Sequence, residues 1–357
     1  MDSIKVGLGI TSKCNLGCSF CYSKKQRLHN DLPLQSWMAF FDTYGDHIAE
    51  VNFGTGENPL EESWFELVEH IHRTQPHIVQ ALTTNGSLST MVGENGGREE
   101  IVSRGISEID VSVDLADEND HDAFRGKAGS YRAAVDTLEL CRRHGITSTI
   151  VMLGIERTLN PHNLSGIFQL AKRYKSLVRI NLYRPVVAGV MEPPSFLTIL
   201  RAFDWIAENH VMCSLSDPLF SAIFTTGERQ ADHSGNGSIR ILPDGNIFPS
   251  TYLIQDRYRS MNITDADVFD RLDGYSIFKE IRNAPMPKAC RSCEVFDRCR
   301  GGVVDRRYLW YGSLEYPDPY CPKRMGLPTS IRRYTVGDPS FSSVHDGYLP
   351  TLFFRPR

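Results

Sequence analysis

The stretch Thr11-Ser-Lys-Cys-Asn-Leu-Gly-Cys-Ser-Phe-Cys-Tyr22 directly follows an apolar segment at residues 4–10. Its three cysteines, Cys14, Cys18 and Cys21, have the spacing C-x3-C-x2-C. A [4Fe–4S] cube is held by four thiolates, so three thiolates leave one iron without a protein ligand. Such an iron is free to bind another molecule. The spacing therefore indicates chemistry on a bound ligand rather than electron transfer alone.

Two other interpretations of these cysteines stay open on the spacing alone. Zinc sites prefer four ligands, with cysteines paired at C-x2-C, and no partner pair lies nearby in the sequence. The second interpretation is that the cysteines are buried residues that lie close together without a metal.

The composition is that of a globular protein outside the nucleic-acid and membrane classes. The 357 residues are 41% hydrophobic and 23% charged, enough for one large barrel or a barrel with a smaller module. A net charge of −4 argues against a general nucleic-acid binder. No apolar stretch is long enough for a membrane helix and the N-terminus lacks a signal peptide, so we expect a cytoplasmic protein.

Strand-like runs alternate with amphipathic helical stretches over roughly the first 210 residues. Six βα units imply a parallel sheet with right-handed crossovers, and six do not complete an eight-stranded barrel. The alternation alone also allows a doubly wound sheet. The predicted strands lie near residues 5–10, 50–53, 78–83, 108–113, 147–153 and 178–183, and the predicted helices near residues 35–44, 61–74, 97–104, 130–144, 161–174 and 194–209.

Short polar or glycine-containing turns follow the predicted strands, at the end where parallel sheets carry their chemistry. Gly54-Thr-Gly-Glu57 follows the second strand, where two glycines let the backbone approach a ligand and Glu57 offers a carboxylate to an ammonium group. Ser112 and Asp114 flank Val113 and so point to one face. Without a ligand, these residues would be turn and strand-end polar groups only.

A second cysteine group follows a predicted hairpin that turns at Asp244-Gly245. Four thiolates close either a [4Fe–4S] cube or a tetrahedral zinc site, and the spacing leaves both open. The group consists of Cys290, Cys293, Cys299 and Cys321.

The first cysteine loop, with an aromatic residue before its last cysteine, resembles the radical S-adenosylmethionine (SAM) superfamily. The resemblance implies an α/β fold with a partial (β/α)6 TIM barrel, SAM on the open iron, and reductive cleavage of SAM to a 5′-deoxyadenosyl radical. Thr55 departs from the family's Gly-Gly-Glu motif. The cofactor-binding residues that the resemblance implies are Gly54, Gly56, Glu57, Ser112 and Arg125.

The second group resembles the SPASM extension, a small cysteine-rich C-terminal domain that in full form holds two auxiliary clusters. All ligands of the distal cluster are present, whereas Ser250 and Val303 stand where the family has cysteines of the proximal cluster. The resemblance thus implies two [4Fe–4S] clusters in total, one SAM-binding and one auxiliary. Ser250, Tyr252 and Arg240 are expected to line the space of the missing cluster. The implied domains are residues 1–210 (barrel), 211–326 (SPASM-like domain) and 327–357 (irregular tail).

The resemblance implies an enzyme that abstracts a hydrogen atom from its substrate, which we expect to be a ribosomally synthesised peptide. A small-molecule natural product such as a sugar, aminocyclitol or nucleoside is the alternative, and a non-enzymatic electron carrier is a third class. An external one-electron reductant such as flavodoxin or ferredoxin is implied. Peptide-modifying members of the family often carry an N-terminal peptide-binding module, which we expect to be absent because the first strand begins near residue 4. This weakens the expectation of a peptide without excluding it, since a separate partner can present the peptide. Cys213 is a candidate hydrogen-atom donor, and Cys141 is expected to be a core residue.

Overall fold

The fold was analysed in a computed structural model, which describes residues 3–24, 30–93, 96–209, 212–225, 232–329, 343–345 and 348–356. The strands are β1 (Ile4–Leu8), β2 (Ile48–Phe53), β3 (Val79–Thr84), β4 (Glu108–Ser112), β5 (Thr147–Gly154), β6 (Leu177–Leu182), β7 (Met212–Leu215), β8 (Ser238–Ile241), β9 (Ile247–Phe248) and β10 (Leu352–Arg355). The helices are α1 (Leu34–Tyr44), α2 (Glu62–Thr74), α3 (Ser87–Gly93), α4 (Gly96–Gly105), α5 (Glu118–Arg125), α6 (Ser130–His144), α7 (Pro161–Tyr174), α8 (Phe196–Glu208), α9 (Pro218–Phe224), α10 (Val268–Leu272), α11 (Ser276–Arg282), α12 (Phe296–Cys299) and α13 (Val304–Tyr311).

The ten strands form one sheet in the order β7-β10-β6-β5-β4-β3-β2-β1-β8-β9. Strands β1 to β6 are parallel and neighbour one another in chain order. The six predicted βα units are therefore confirmed as six consecutive parallel strands. Their carboxyl ends lie at one edge of the sheet, where the cysteine loop and the turns after β2, β3 and β4 also lie.

Local sequence signals explain why the helices of this part begin and end as predicted. Helix α7 begins after Asn160, whose side chain accepts a hydrogen bond of 3.0 Å from the backbone N–H of Asn163, with Pro161 at the first helical position. Helix α6 ends at Gly145, which has a φ of 67°, the left-handed conformation that glycine adopts without strain. Helix α2 buries Trp64 and Phe65 against the sheet.

The segment after β7 extends the same sheet. Strand β8 pairs in parallel with β1 and antiparallel with β9, so the hairpin predicted at Asp244-Gly245 is confirmed. Gly245 has a φ of 82°, which this turn requires. The amphipathic stretch that follows forms the two short helices α10 and α11.

The C-terminal segment departs from its prediction. The sequence predicts an irregular tail over residues 327–357, and that prediction is wrong at Leu352–Arg355, which form β10. This strand lies antiparallel between β6 and β7. Phe353 and Phe354 are fully buried, so burial of apolar side chains favours the pairing.

Among the described residues, no helix combines the length and the apolarity that crossing a membrane requires.

Candidate active site

A cavity of about 1000 Å³, counting the space at its mouth, opens at the carboxyl ends of the parallel strands. The cysteine loop forms one wall, and the turns after β2, β3 and β4 form the next. The structure brings every residue implied for the SAM site into this one lining: Cys14, Cys18, Cys21, Gly54, Gly56, Glu57, Ser112 and Arg125.

The three thiols of the cysteine loop face the cavity with different surroundings. The sulfur of Cys14 accepts hydrogen bonds from the backbone N–H of Leu16 at 3.5 Å and from the side-chain amide of Asn85 at 3.6 Å. The thiol of Cys18 is buried, which raises its pKa, and it donates to the carbonyl of Arg125 at 3.6 Å. Cys21 lies 3.2 Å from the hydroxyl of Ser23. The loop thus presents three sulfur ligands to one cavity.

The turn after β2 is pressed against the cysteine loop, backbone to backbone. A Cβ on Gly56 would lie 2.1 Å from the carbonyl oxygen of Thr11, and the φ of Gly56 is +70°, so only glycine fits there. The backbone N–H of Glu57 donates to the carbonyl of Lys13 at 2.8 Å. This arrangement fits a cluster with one open iron. The cysteine loop offers three sulfur ligands, and the adjoining glycine turn lets the backbone come close to a molecule bound at the fourth iron.

Glu57 is fixed by the turn after β3. Its carboxylate accepts hydrogen bonds from the hydroxyl of Thr84, from the backbone N–H of Asn85 at 2.9 Å and from the hydroxyl of Ser87 at 2.7 Å. Burial raises the pKa of this carboxyl group. Glu57 therefore holds in place the turn that carries Asn85, the neighbour of Cys14. A contact from Glu57 to the SAM amine stays a prediction.

Arg125 is pinned to the cavity wall by a buried carboxylate. Its Nε and a terminal nitrogen lie 2.7 and 2.6 Å from one oxygen of Asp114, and the other oxygen accepts the backbone N–H of Leu153 at 2.8 Å. Burial lowers the pKa of Arg125, but the charge and hydrogen bond of Asp114 act together with the Cys18 and Cys21 thiols, and the net pKa is raised. Arg125 also lies 5.5 Å over the ring of Phe20, so a fixed cation borders the cavity.

His121 supports this ion pair and was not singled out from the sequence. Its Nδ1 accepts a hydrogen bond of 3.2 Å from the backbone N–H of Asp114. Burial, together with the charge of Arg125, lowers the pKa of His121 to about 4, so the ring is neutral at pH 7. The sequence gives little indication of this role, because His121 lies in the polar run Glu-Asn-Asp-His-Asp-Ala-Phe-Arg, which lacks the apolar stripe that would predict helix α5.

The His121→Asn variant is expected to be less sensitive to acid. The pKa of His121 is about 4 in the folded chain and about 6.5 when unfolded. The stability it contributes is therefore complete above about pH 6.5 and is lost, by about 3 kcal/mol, as the pH falls to 4. Asparagine cannot take up this proton, so urea unfolding of the metal-free variant should change less between pH 7 and pH 4.5. An unchanged pH dependence, or the same change in the exposed control His162→Asn, would contradict the assignment.

The opposite wall is formed by Arg184 after β6 and by Tyr252. The guanidinium of Arg184 lies 4.6 Å over the ring of Tyr252, and its Nε donates to Asp305 at 2.6 Å. Asp305 also accepts a hydrogen bond of 3.2 Å from the hydroxyl of Ser250. A buried ion pair thus lies beside the position that a cysteine of the proximal cluster would take.

The expectation that three residues line an empty cluster space is only partly correct. The described lining of the cavity includes Tyr252 but neither Ser250 nor Arg240. Ser250 is buried against Asp305, and Arg240 is buried with a terminal nitrogen 3.3 Å from the hydroxyl of Tyr348. Both are held by hydrogen bonds because the ion pair and the C-terminal segment fill this region.

The second cysteine group forms a separate cluster of thiols. Cys290 and Cys299 are buried, and Cys293 and Cys321 are half-buried. Burial, followed by the charges of Cys321 and Cys293, raises the pKa of Cys290 to about 11. Burial and the other three thiols raise the pKa of Cys299 to about 12. The four thiols thus lie near enough for their charges to raise one another's pKa.

The two remaining cysteines differ in how far the structure tests them. Cys141 is fully buried on α6, and burial raises its pKa to about 12, which confirms a core role. The side chain of Cys213 lies outside the described residues, so its candidacy as a hydrogen-atom donor stays a prediction.

Fold, thiol loop and glycine turn together define a radical SAM domain. Residues 8–174 match the model of the radical SAM superfamily, so this part of the chain is a radical SAM domain. The chain is similar to mycofactocin maturase MftC of Mycolicibacterium smegmatis, with 28% identity over 344 residues, covering 93% of this chain and 86% of the relative. It is also 28% identical over 361 residues to Fe-coproporphyrin III synthase of Methanosarcina barkeri, covering 87% and 86% of the two chains.

Two solved structures share the fold. Streptococcus suis SuiB bound to precursor peptide SuiA has a TM-score of 0.73 at 16% identity, covering 90% of this chain and 76% of SuiB. The anSMEcpe structure with bound AdoMet and Cp18Cys peptide has a TM-score of 0.67 at 17% identity, covering 90% and 94%. The predicted partial (β/α)6 barrel is confirmed. The cofactors of the domain are SAM and a [4Fe–4S] cluster.

Proposed function

We propose that the chain cleaves SAM reductively and uses the resulting radical to modify a ribosomally synthesised peptide by cross-linking, epimerisation or oxidation. The observation that carries the proposal is the convergence of three cysteine sulfurs, the Gly54 to Glu57 turn and the Arg125 guanidinium on one cavity. A pure electron carrier needs every iron ligated and no such pocket, so this convergence favours an enzyme.

The chemistry comes from the cofactors, and the protein orients them. When bound, the cluster supplies the electron that splits SAM into methionine and a 5′-deoxyadenosyl radical. Cys14, Cys18 and Cys21 would hold three of its irons. The glycine turn would accept the amine of SAM through backbone carbonyls, while Arg125 and Ser112 would bind its carboxylate and ribose. Arg125 needs no reorganisation for this task, because Asp114 already fixes its position.

The peptide substrate is supported by the maturase MftC among the relatives and by the peptides bound in the SuiB and anSMEcpe structures. A small-molecule substrate is the second candidate, because Fe-coproporphyrin III synthase matches this chain at the same 28% identity. The two substrate classes would share the SAM site and differ at the wall formed by Arg184 and Tyr252.

The substrate experiment offers both classes to the same preparation. Anaerobic enzyme with SAM and dithionite is incubated with a short candidate precursor peptide, or with a porphyrin-type precursor of iron-coproporphyrin III, the compound that the relative makes by its name. The proposal expects the peptide, and not the porphyrin, to change mass and to accelerate 5′-deoxyadenosine formation. Porphyrin turnover with an unchanged peptide would favour the second candidate and contradict the first.

We further propose that Cys290, Cys293, Cys299 and Cys321 hold one auxiliary [4Fe–4S] cluster. Four thiolates leave no iron open, so the cluster would stabilise the fold or carry electrons. Their mutual electrostatic influence supports a single site. The expected absence of a proximal cluster is supported by the pair Arg184 and Asp305, whose side chains lie 2.6 Å apart and occupy buried space next to Ser250.

Iron content tests this arrangement. Two cubes give about eight irons per chain. The Cys299→Ser variant is expected to hold about four. The double variant Ser250→Cys and Val303→Cys is expected to stay at about eight, because two added thiolates are too few for a third cube and the ion pair of Asp305 fills the adjoining space. Iron and zinc would be measured together after anaerobic reconstitution.

Two results would contradict this arrangement, and one variant serves as its control. Zinc in place of four irons would contradict an auxiliary iron–sulfur cluster. A rise to about twelve irons in the double variant would contradict the filled space. The Cys141→Ser variant is the matched control for the loss of a buried thiol and should keep all of the iron.

A one-electron reductant such as flavodoxin or ferredoxin would serve as the electron source, in the cytoplasm where such proteins and SAM occur together. A separate peptide-binding partner would present the substrate. Omitting each protein in turn from a reconstituted reaction tests these partners, and undiminished turnover without them would contradict the proposal.

A further inference from the structure

Described residues of the C-terminal segment contact the strands of the barrel from inside: His345 lies against β4 and Tyr348 against Arg240 of β8. Val344 lies at the amino ends of the strands, opposite the cavity. The backbone N–H of Val344 donates to Glu108, the first residue of β4, at 2.9 Å. The amine of Lys5 on β1 lies 3.5 Å from the carbonyl of Val344. Two strands that are three positions apart in the sheet thus contact one residue at the floor of the barrel, the end opposite the cavity.

His345 and Tyr348 then point into the barrel. The Nδ1 of His345 lies 2.9 Å from an oxygen of Asp110 on β4. The phenol of Tyr348 lies 2.8 Å from the hydroxyl of Thr251 and accepts a hydrogen bond from Arg240 at 3.3 Å. Both side chains are at most 3% exposed.

Gly7 makes room for Tyr348. A Cβ at Gly7 would lie 1.5 Å from the phenol oxygen and 2.3 Å from the adjoining ring carbon. Any residue other than glycine at position 7 would therefore displace the ring of Tyr348. The phenol of Tyr348 thus fills the space that the missing side chain of Gly7 leaves in β1. Such a fit indicates that the segment is held in one place.

The segment next reaches the cavity wall. Arg184 donates a hydrogen bond of 3.3 Å to the carbonyl of Pro350, and Thr251, the partner of Tyr348, precedes Tyr252 in the chain. Arg184 and Tyr252 both line the cavity. Beyond Pro350 the chain turns back as β10, paired on both sides. The C-terminal segment thus connects the barrel floor to the wall that faces the substrate.

We propose that the described C-terminal residues, 343–345 and 348–356, form an internal plug in which Tyr348 is a positioning residue: it seals the cavity from below and fixes Tyr252 and Arg184. The inference rests on the proposed function, since it concerns the fate of the radical in that cavity. An open floor would admit quenchers to the radical, whereas a filled floor leaves the mouth of the cavity as the route of entry.

Deuterium transfer tests the seal. Holoenzyme in D2O is incubated with SAM, dithionite and dithiothreitol, without substrate. The radical takes deuterium from the S–D group of dithiothreitol, which gives singly deuterated 5′-deoxyadenosine and a thiyl radical. The Tyr348→Ala variant is expected to incorporate at least twice as much deuterium per 5′-deoxyadenosine as the wild type. The Tyr348→Phe variant should restore the wild-type value, because the ring fills the space.

The matched control is Tyr174→Ala, which removes a buried phenol on α7, outside the barrel interior. Equal incorporation in wild type and Tyr348→Ala, or an equal rise in the control, would overturn the plug. Hydrogen exchange gives a readout that does not need SAM. The amides of β10 should exchange slowly in the wild type and fast in Tyr348→Ala, and fast exchange in the wild type would also overturn the plug. Absence of 5′-deoxyadenosine in the wild type would contradict the proposed function instead.

Discussion

Replacing Cys14 by alanine is expected to abolish the formation of 5′-deoxyadenosine. Its sulfur is one of three that face the cavity, and no fourth thiol belongs to the loop. Two thiolates cannot hold a cube that also leaves one iron for SAM. After anaerobic reconstitution with dithionite and SAM, the variant should lose about four irons and give no detectable product by chromatography.

Cys141→Ala is the matched control for this variant. It makes the same chemical change at a fully buried cysteine on α6 and should cost about 1 kcal/mol of stability from the lost packing. Its iron content and product formation should equal those of the wild type. Product formed by Cys14→Ala at the wild-type rate would show that the cysteine loop does not hold the reactive cluster.

The Arg125→Met variant is expected to bind SAM at least tenfold more weakly. A hydrogen-bonded charge contributes about 1.5–3 kcal/mol, which corresponds to roughly 10- to 100-fold in the dissociation constant. The guanidinium lies at the cavity wall, held by Asp114 at 2.6 Å, so it is available as a fixed partner for the carboxylate of SAM. Equilibrium binding of SAM to the reconstituted protein measures the effect.

The control for this variant is Arg132→Met. Arg132 is exposed and pairs with Asp136 at 3.0 Å on α6, and such surface pairs contribute little. Because methionine leaves Asp114 buried without its partner, unfolding of both variants should be measured beside binding. An unchanged dissociation constant in a folded Arg125→Met protein would remove Arg125 from the SAM site.

Local signals explain the parts of the fold that could be read from the sequence. Helix α6 has the predicted bounds because Gly145 ends it in the left-handed conformation. The strands of the barrel are recognisable because each is a short apolar run followed by a turn. Helix α5 was missed because its apolar content is low, and its start depends on Asp117, whose side chain accepts the N–H of Asp120.

Strand β10 could not be predicted for a different reason. It has four residues, and its partners on β6 and β7 lie more than a hundred positions earlier in the chain. Pairing over such a separation leaves no local pattern. The contact between Tyr348 and Gly7 is hidden in the same way, since nothing near either residue indicates the other.

The site was predicted as a set of residues and not as a set of interactions. Cysteine spacing and strand-end turns identified the lining. The sequence pattern alone could not show that the carboxylate of Glu57 accepts hydrogen bonds from Thr84, Asn85 and Ser87. It also could not show that Asp305 fills space near Ser250, because Arg184 and Asp305, which form that ion pair, lie 121 positions apart in the chain.

Magnetic resonance of the reduced protein with isotope-labelled SAM tests the central claim most directly. We expect the cluster on Cys14, Cys18 and Cys21 to have one open iron that binds SAM. Electron–nuclear double resonance should then detect coupling between the electron spin of the cluster and the labelled nuclei of SAM, 15N in its amine and 17O in its carboxylate. Coupling should vanish in Cys14→Ala. A reduced cluster with no coupling to either label, or zinc bound at the loop, would contradict the account.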